Sequence, residues 1–228
     1  MSFRRRIKYF LVHSLMLSNK TADELIGKGW VQIDGVTIYE NCFLSPEAAV
    51  SVNGKVEREK KEFIYFKFNK QAGYESSMNP GVPMNLAHFF GGLEGLAIAG
   101  RLDRNSEGLM LLSNNGKWIE EICNPKGYKE KEYLVTLDKP PGDEFLNAFR
   151  NGMKIGRHTT LPCYCERVDP CIVRVVLTEG KNRQIRRMCA GLGYKVLKLK
   201  RVRIAEFELG NLAEGKTELI INPVSHVL

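Results

Sequence analysis

The sequence predicts an α+β fold in two unequal parts: a small helical module closed by a hairpin, then a larger domain built mainly on an antiparallel sheet. Three observations lead there. The first 55 residues carry short helical patterns that run into Asp34-Gly35, a strong hairpin turn signal. "VEREKKE", Val56 to Glu62, mixes charges with no apolar anchor beyond its first residue and reads as a linker. From Phe63 onward, apolar strands alternate with short amphipathic helices, a succession that argues for mostly antiparallel pairing. The chain of 228 residues therefore divides into a module at 1–55, a linker at 56–62 and a domain at 63–228. At roughly 150 residues per domain, that length suits one sizeable core with a small unit appended.

In the module, Ile7, Phe10 and Leu11 share a helical face. A second helix, capped by Ser18 or Asn19, runs to Gly29 and buries Ala22, Leu25 and Ile26. "VQIDGVTI" is the hairpin. In the larger domain "FIYFKFNK" is a well-buried strand, and "QAGYESSMNPGVPMN" (Gln71 to Asn85), rich in Gly, Pro and Ser, is loop. "LMLLS" (Leu109 to Ser113) is a buried strand, and "KWIEEIC" opens a helix. "KEYLVTL" is a strand, "GDEFLNAFRNG" an amphipathic helix, and "CIVRVVLTEG" a further strand. "NRQIRRMCAGLG" is a helix with Asn182 as its cap, and "KVLKLKRVRIAEFEL" supplies one or two strands.

Lys and Arg outnumber Asp and Glu by 34 to 26, a formal charge of +8 that favours polyanionic partners without proving one. The module leaves Arg4, Arg5, Arg6, Lys8, Lys20 and Lys28 for solvent: a charged face, or a surface that tracks phosphates. The six cysteines form no Cys-x-x-Cys and the four histidines are scattered, so zinc-ligand spacing is missing. All six read as reduced and mostly buried, as in a cytoplasmic protein. "MSFRRRIKYFLVHSLML" sets basic residues before apolar ones, but Lys8 and His13 interrupt the run and no small-residue cleavage site follows, which argues against export. No stretch approaches the ~20 apolar residues of a membrane span.

Three segments could carry chemistry. In the helix after Asn182, Ile185, Met188, Cys189 and Leu192 fall at core spacing. Arg183 and Arg187 then point to solvent, where they could meet phosphates, and Arg186 sits on the flank of the buried stripe, where it could reach a carboxylate. Three surface arginines on an amphipathic helix would look the same. Asp103, between Arg101 and Arg104 and ahead of the "LMLLS" strand, is the second candidate. Burial favours the neutral acid unless a cation stands nearby, and a carboxylate held by arginines can act as a nucleophile or accept a ligand hydroxyl. A loop ion pair is the plainer reading. Tyr133, in "KEKEYLVTL" beside Lys129 and Lys131, is a half-buried packing residue or a platform for a nucleobase.

"GRLDRNSEGLMLLSNNG", "KEYLVTLDKP" and "EGKNRQIRRMCAGLGYKV", in that order, resemble the three signature regions of the RsuA-type ribosomal RNA pseudouridine synthases, over a span from about Phe63 to the end. The first 55 residues resemble the small RNA-binding module named after ribosomal protein S-four. Within the family, "KEYLVTLDKP" and "NRQIRRMC" followed by "GYKVLKLKRVRI" are most similar to the large-subunit enzymes of the F type. The pattern departs at Asn69-Lys70-Gln71-Ala72-Gly73, where Gln71 replaces the usual proline, freeing that turn without removing a catalytic group.

The resemblance implies that Asp103 attacks the target uridine, so that the glycosidic bond breaks and the base rejoins through carbon five. It implies a pocket for a flipped base, with Tyr133 stacked on that base and helping remove the carbon-five proton. Arg186 would pair with Asp103, with Lys181 and Arg183 as the nearest alternatives, and Arg101, Arg104 and Arg187 would bind phosphates or brace the loop. No cofactor or metal is implied, and the partner is ribosomal RNA, of the large subunit by the F-type likeness with the small subunit as the alternative, or an assembly intermediate; a monomer is the default. Two rivals stand beside it. A non-catalytic RNA-binding assembly factor has no need of Asp103, and a DNA-binding regulator would show a recognition helix and a dimer interface.

Overall fold

The computed structural model describes residues 6–91, 93, 95–124, 127–221 and 223. The chain divides into two compact units between Phe63 and Ile64.

The first unit holds α1 (Ile7–His13), α2 (Asn19–Gly27), β1 (Val31–Ile33), β2 (Val36–Ile38), β3 (Val50–Val52) and β4 (Lys55–Arg58), its sheet ordered β2-β1-β3-β4. Ser18 caps α2, its hydroxyl accepting from the Thr21 amide at 3.0 Å. Asp34 and Gly35 both take positive φ, 49° and 79°, the turn that matches the twist of an antiparallel pair. Asn53-Gly54 repeats it at 52° and 76° and joins β3 to β4, a hairpin the sequence reading passed over. Ile7, Leu11, Ala22, Ile26, Val31 and Val50 close one core between helices and sheet.

The predicted linker is shorter than expected. Val56 to Arg58 lie in β4, and the Arg58 guanidinium donates to the Ser45 and Ala48 carbonyls at 2.7 and 2.8 Å. Mixed charge marked a solvent-facing edge strand there, and only the residues after Arg58 form the connection.

The second unit contains β5 (Tyr65–Lys70), a 3-10 turn at Leu86–Phe89, β6 (Ala97–Ala99), β7 (Glu107–Ser113), α3 (Gly116–Cys123), β8 (Lys131–Leu137), α4 (Asp143–Asn151), β9 (Lys154–Ile155), β10 (His158–Thr159), β11 (Tyr164–Asp169), β12 (Ile172–Leu177), α5 (Gln184–Gly191), β13 (Val196–Ile204), β14 (Phe207–Glu208) and β15 (Thr217–Leu219). The main sheet runs β11-β12-β8-β13-β7-β5-β15, with β14 on β13 and β6 on β7. Pairing is antiparallel except between β13 and β7, so the fold is α+β with an antiparallel-dominated sheet.

Every residue of β7 is buried because both faces are covered. Leu109 and Leu111 pack with Trp118 and Ile122 of α3, while Met110 and Leu112 pack with Phe68, Leu86 and Phe90. A third cluster seats α4 and α5, through Phe145, Phe149, Ile185 and Met188, on Val135, Val173, Val175 and Leu199. Where β7 meets β13 in parallel, a Cβ on Gly108 would stand 2.2 Å from the Arg201 carbonyl oxygen, and its φ is +102°. Only glycine fits, and the close approach brings the loop ahead of β7 against β13.

The first and last residues of several elements differ from expectation. Arg183, not Asn182, occupies the cap of α5, in a left-handed conformation (φ 49°, ψ 36°) with no side-chain cap bond. The Gln184 carboxamide closes that turn instead, accepting from the Lys181 amide at 3.1 Å. Among the cysteines only Cys165 and Cys189 are buried, Cys123 is exposed, and the other three are intermediate. Burial pushes the Cys163 thiol up to about 11 and those of Cys165 and Cys189 up to about 12, away from reactivity. Among the described residues, no helix is long and apolar enough to cross a membrane.

Candidate active site

The loop from Gly100 to Ser106 joins β6 to β7 and carries Asp103. So short a loop cannot cover its own backbone, and side chains from distant elements do it instead. The Ser76 hydroxyl accepts from the Leu102 amide at 3.0 Å and donates to its carbonyl at 2.7 Å. Arg104 Nε donates to the Gly73 carbonyl at 2.9 Å while the Gly73 amide donates to the Arg104 carbonyl at 2.7 Å.

Two buried cations complete the clamp. Lys70, at the end of β5 and fully buried, directs Nζ at the carbonyls of Ser106 (2.7 Å), Gln71 (2.9 Å), Asp103 (3.2 Å) and Arg104 (3.2 Å). Burial pulls its ammonium down to about 8, against the opposing pull of Asp103 and Glu107. Arg201 of β13, 1% exposed, donates to the carbonyls of Leu109 at 2.7 Å, Gly100 at 3.0 Å and Arg101 at 3.5 Å. Asp103 thus projects from a loop fixed at both ends.

Two guanidiniums face the Asp103 carboxylate on the same oxygen. Arg183 Nη1 lies 3.4 Å from Oδ2 and Arg186 Nε 4.0 Å. Arg186, on α5, is anchored elsewhere: Nη2 donates to the Asn105 carbonyl at 2.8 Å and approaches Ser106 Oγ at 3.3 Å, and Nη1 reaches the Val196 carbonyl at 3.3 Å. Its Nε is buried with no hydrogen-bond partner. Desolvation, then the neighbouring Arg183, lowers the Arg186 pKa, and Asp103 opposes them.

Asp103 and Arg183 open onto a cleft of about 1120 Å³, lined also by Tyr133, Lys181 and Arg201 among others. Tyr133 is half-buried on β8, in register with Val175 of β12 and Arg201 of β13. Beside the cleft Glu179 accepts from the Gln184 carboxamide at 2.7 Å and the Leu161 amide at 3.0 Å, and pairs with Lys181 at 3.0 Å. Desolvation is the largest single influence on its pKa and raises it, but those bonds together outweigh it and the net shift is downward.

A family model described as RNA pseudouridylate synthase matches residues 64–191, the segment that holds Asp103, Tyr133 and Arg186. The chain belongs to that family. The "Dual-specificity RNA pseudouridine synthase RluF" of Escherichia coli strain K12 is 34% identical over 213 residues, covering 92% of this chain and 73% of the relative. The "Ribosomal small subunit pseudouridine synthase A" of Salmonella typhimurium is 33% identical over 217 residues, 92% of this chain and 94% of the relative. A solved structure described as a pseudouridylate synthase superposes with a TM-score of 0.68 at 30% identity, covering 95% of this chain and 96% of the other. With such relatives, the likeness to RsuA-type enzymes is a membership.

Several side chains of the synthase sit differently from the sequence reading. Lys181 is held by Glu179 and by the Thr159 carbonyl at 2.7 Å, which takes it away from Asp103. Arg187 is not solvent-directed: Nη2 donates to the Ile155 carbonyl at 3.0 Å, since the β9–β10 hairpin folds over that face of α5. Arg104 braces the loop and Arg101 lies exposed on the cleft wall. In the first unit Lys8 pairs with Asp23 at 2.6 Å, Arg6 donates to the Asn41 carbonyl at 2.6 Å, Lys20 is exposed, and Lys28 stands over Trp30. Arg4 and Arg5 lie outside the described residues.

Sequence reasoning missed Lys70 and Arg201 altogether. Lys70 lies in the Asn69-Lys70 pair that opens the family's catalytic domain, where the lost proline is the more conspicuous departure. For Arg201, "LKLKR" gives no local sign of which basic residue turns inward.

Proposed function

We propose that this synthase isomerises uridine to pseudouridine in ribosomal RNA, with Asp103 as nucleophile. One observation carries the reading: a carboxylate on a loop clamped by Lys70 and Arg201 projects beside a cleft large enough for a nucleotide, with two guanidiniums on its outer oxygen. Such an acid is positioned before substrate arrives, so little ordering remains to be done in the transition state.

Asp103 adds to the target nucleoside, the bond from N1 to the sugar breaks, the base turns so that carbon five joins the sugar, and the bond to Asp103 breaks again, returning the free carboxylate. The carbon-five proton leaves to solvent and N1 regains a proton, so the product is an isomer. Tyr133, on the cleft wall, stacks on the flipped base and helps remove that proton, and Arg186 aims the carboxylate. Arg101, Arg104, Lys181, Arg183 and Arg187 ring the site or brace its walls, and the first unit, read as an S-four-like module at residues 1–55, adds phosphate contacts through Arg6, Lys8 and Lys20.

The motif likeness favours large-subunit rRNA. The test is chromatographic: in-vitro transcripts of large- and small-subunit rRNA are incubated with the protein, digested to nucleosides and assayed for pseudouridine. Product in the large-subunit transcript alone supports the reading. Product confined to the small-subunit transcript moves the target, and none in either removes the proposal.

A further inference from the structure

Two cations facing one carboxylate oxygen is one more than aiming it requires, and the two differ in kind. Arg186 is 13% exposed in its side chain and tied to Asn105, Ser106 and Val196, whereas Arg183 is 49% exposed. Among the described residues the Arg183 side chain hydrogen-bonds to nothing except Asp103. That contact, at 3.4 Å, is long for a charge-assisted bond, which closes to about 2.7–2.9 Å. Arg186 Nε, meanwhile, is a buried donor with no acceptor, 4.0 Å from the same oxygen. A buried N–H left unpaired is costly, and an acceptor within about 1 Å of bonding range is unusual company for one.

The backbone adds a further sign. Arg183 holds a left-handed conformation that non-glycine residues adopt at some cost, and it stands outside the α5 spiral, with the Glu179–Gln184 network fixing the turn behind it. The side chain is thereby held at the cleft wall, not along the helix surface.

We propose that Arg183 and Arg186 exchange the Asp103 carboxylate when RNA binds: Arg183 restrains it in the free protein and then leaves to pair with a backbone phosphate beside the target uridine, and the carboxylate closes onto Arg186 Nε. Arg183 is then a positioning residue in the free protein and a phosphate ligand in the complex. The inference rests on Asp103 being the reactive carboxylate. It explains the long contact, the unpaired Nε–H and the exposure of Arg183 together. Each is a feature of a waiting state. Phosphate is the fitting exchange partner, since a guanidinium meets its oxygens two at a time.

The experiment uses the full chain with in-vitro transcribed large- and small-subunit rRNA. RNA dissociation constants are measured across a salt series for the wild type, Arg183→Ala, Asp103→Asn and the double variant, with single-turnover rates at saturating RNA. Breaking an exposed ion pair changes an equilibrium by about two- to fivefold. Asp103→Asn spares the RNA that work but also forfeits the Arg186 contact made in the complex, so the comparison of backgrounds reads the exchange. The change should favour binding about two- to fivefold more in the wild type than in Arg183→Ala. Arg183→Ala alone should weaken binding about tenfold and reduce the salt slope by about 0.7, the share of one phosphate on a single strand. Its saturated rate should fall by less than about fivefold.

Arg183→Lys keeps the charge and should keep the slope, with equal thermal midpoints excluding a folding defect. Three results overturn the exchange: an unchanged slope in Arg183→Ala, an equal effect of Asp103→Asn on affinity in both backgrounds, or a saturated rate lowered a hundredfold with affinity intact. Retained isomerisation by Asp103→Asn would instead refute the nucleophile reading, and the slope and the cycle would still judge the exchange.

Discussion

Replacing Lys70 by methionine asks whether the loop clamp holds the reactive carboxylate in place. The ammonium has three N–H donors for four carbonyls at 2.7–3.2 Å. Hydrogen bonds from a charged group contribute about 1.5–3 kcal/mol each, and desolvating the ammonium costs several kcal/mol in return. The thioether removes both terms but leaves carbonyls facing a side chain that cannot donate. The net loss is about 2–4 kcal/mol, which for a unit of this size lowers the thermal midpoint by roughly 5–15 °C. The larger effect is on rate. Three of the four carbonyls belong to Asp103, Arg104 and Ser106, so the loop moves, and a shift of about 1 Å at a reacting group costs on the order of a hundredfold. Circular dichroism melts and single-turnover isomerisation, measured well below the variant's midpoint, separate the two effects. A variant that melts with the wild type and turns over within a few-fold of it would refute the clamp.

Four further outcomes are expected. Burial pulls Lys70 down to about 8, so between there and the ordinary lysine value near 10.5 the unfolded chain holds a proton that the folded chain has lost, and stability contributed by this group rises with pH. Across the same window the amine has one donor fewer: the wild-type rate should fall with an apparent pKa near 8, a limb missing from Lys70→Met, and a shared profile would count against it. Gly108→Ala places a methyl 2.2 Å from the Arg201 carbonyl at φ +102°, so it should cost well over ~1 kcal/mol, read as a lowered midpoint; an alanine variant as stable as wild type would contradict the β7–β13 approach. Replacing both Arg6 and Lys20 by alanine should weaken RNA binding and reduce the salt slope by about 1.4–1.8, and an unchanged slope would place the first unit away from phosphates.

Local periodicity made part of the fold legible. β7 was readable because five apolar or small residues in succession mark a strand covered on both faces, and α4 because Phe145 and Phe149 lie one turn apart. Asp34-Gly35 showed its hairpin by residue type, and Asn53-Gly54 carried the same signal unused. Asp103, Tyr133 and Arg186 came from ordered motifs that no single segment would have justified. The rest depends on contacts distant in sequence. Lys70 reads as the polar end of a strand until loop carbonyls more than thirty residues away converge on it, and Arg201 is buried by a loop a hundred residues earlier. Arg187 looked solvent-facing because the hairpin that covers it comes from another part of the chain. Helical phase placed Arg183 on a surface that its left-handed backbone leaves.

The most direct measurement of the central claim is tritium release from rRNA labelled at uridine carbon five, comparing wild type with Asp103→Asn. Isomerisation exchanges that position with solvent, so the account expects release by the wild type and none by Asp103→Asn, with RNA affinity of the variant within a few-fold. Release by both proteins at similar rates would contradict it, because the carboxylate at the centre of the cleft would then be dispensable.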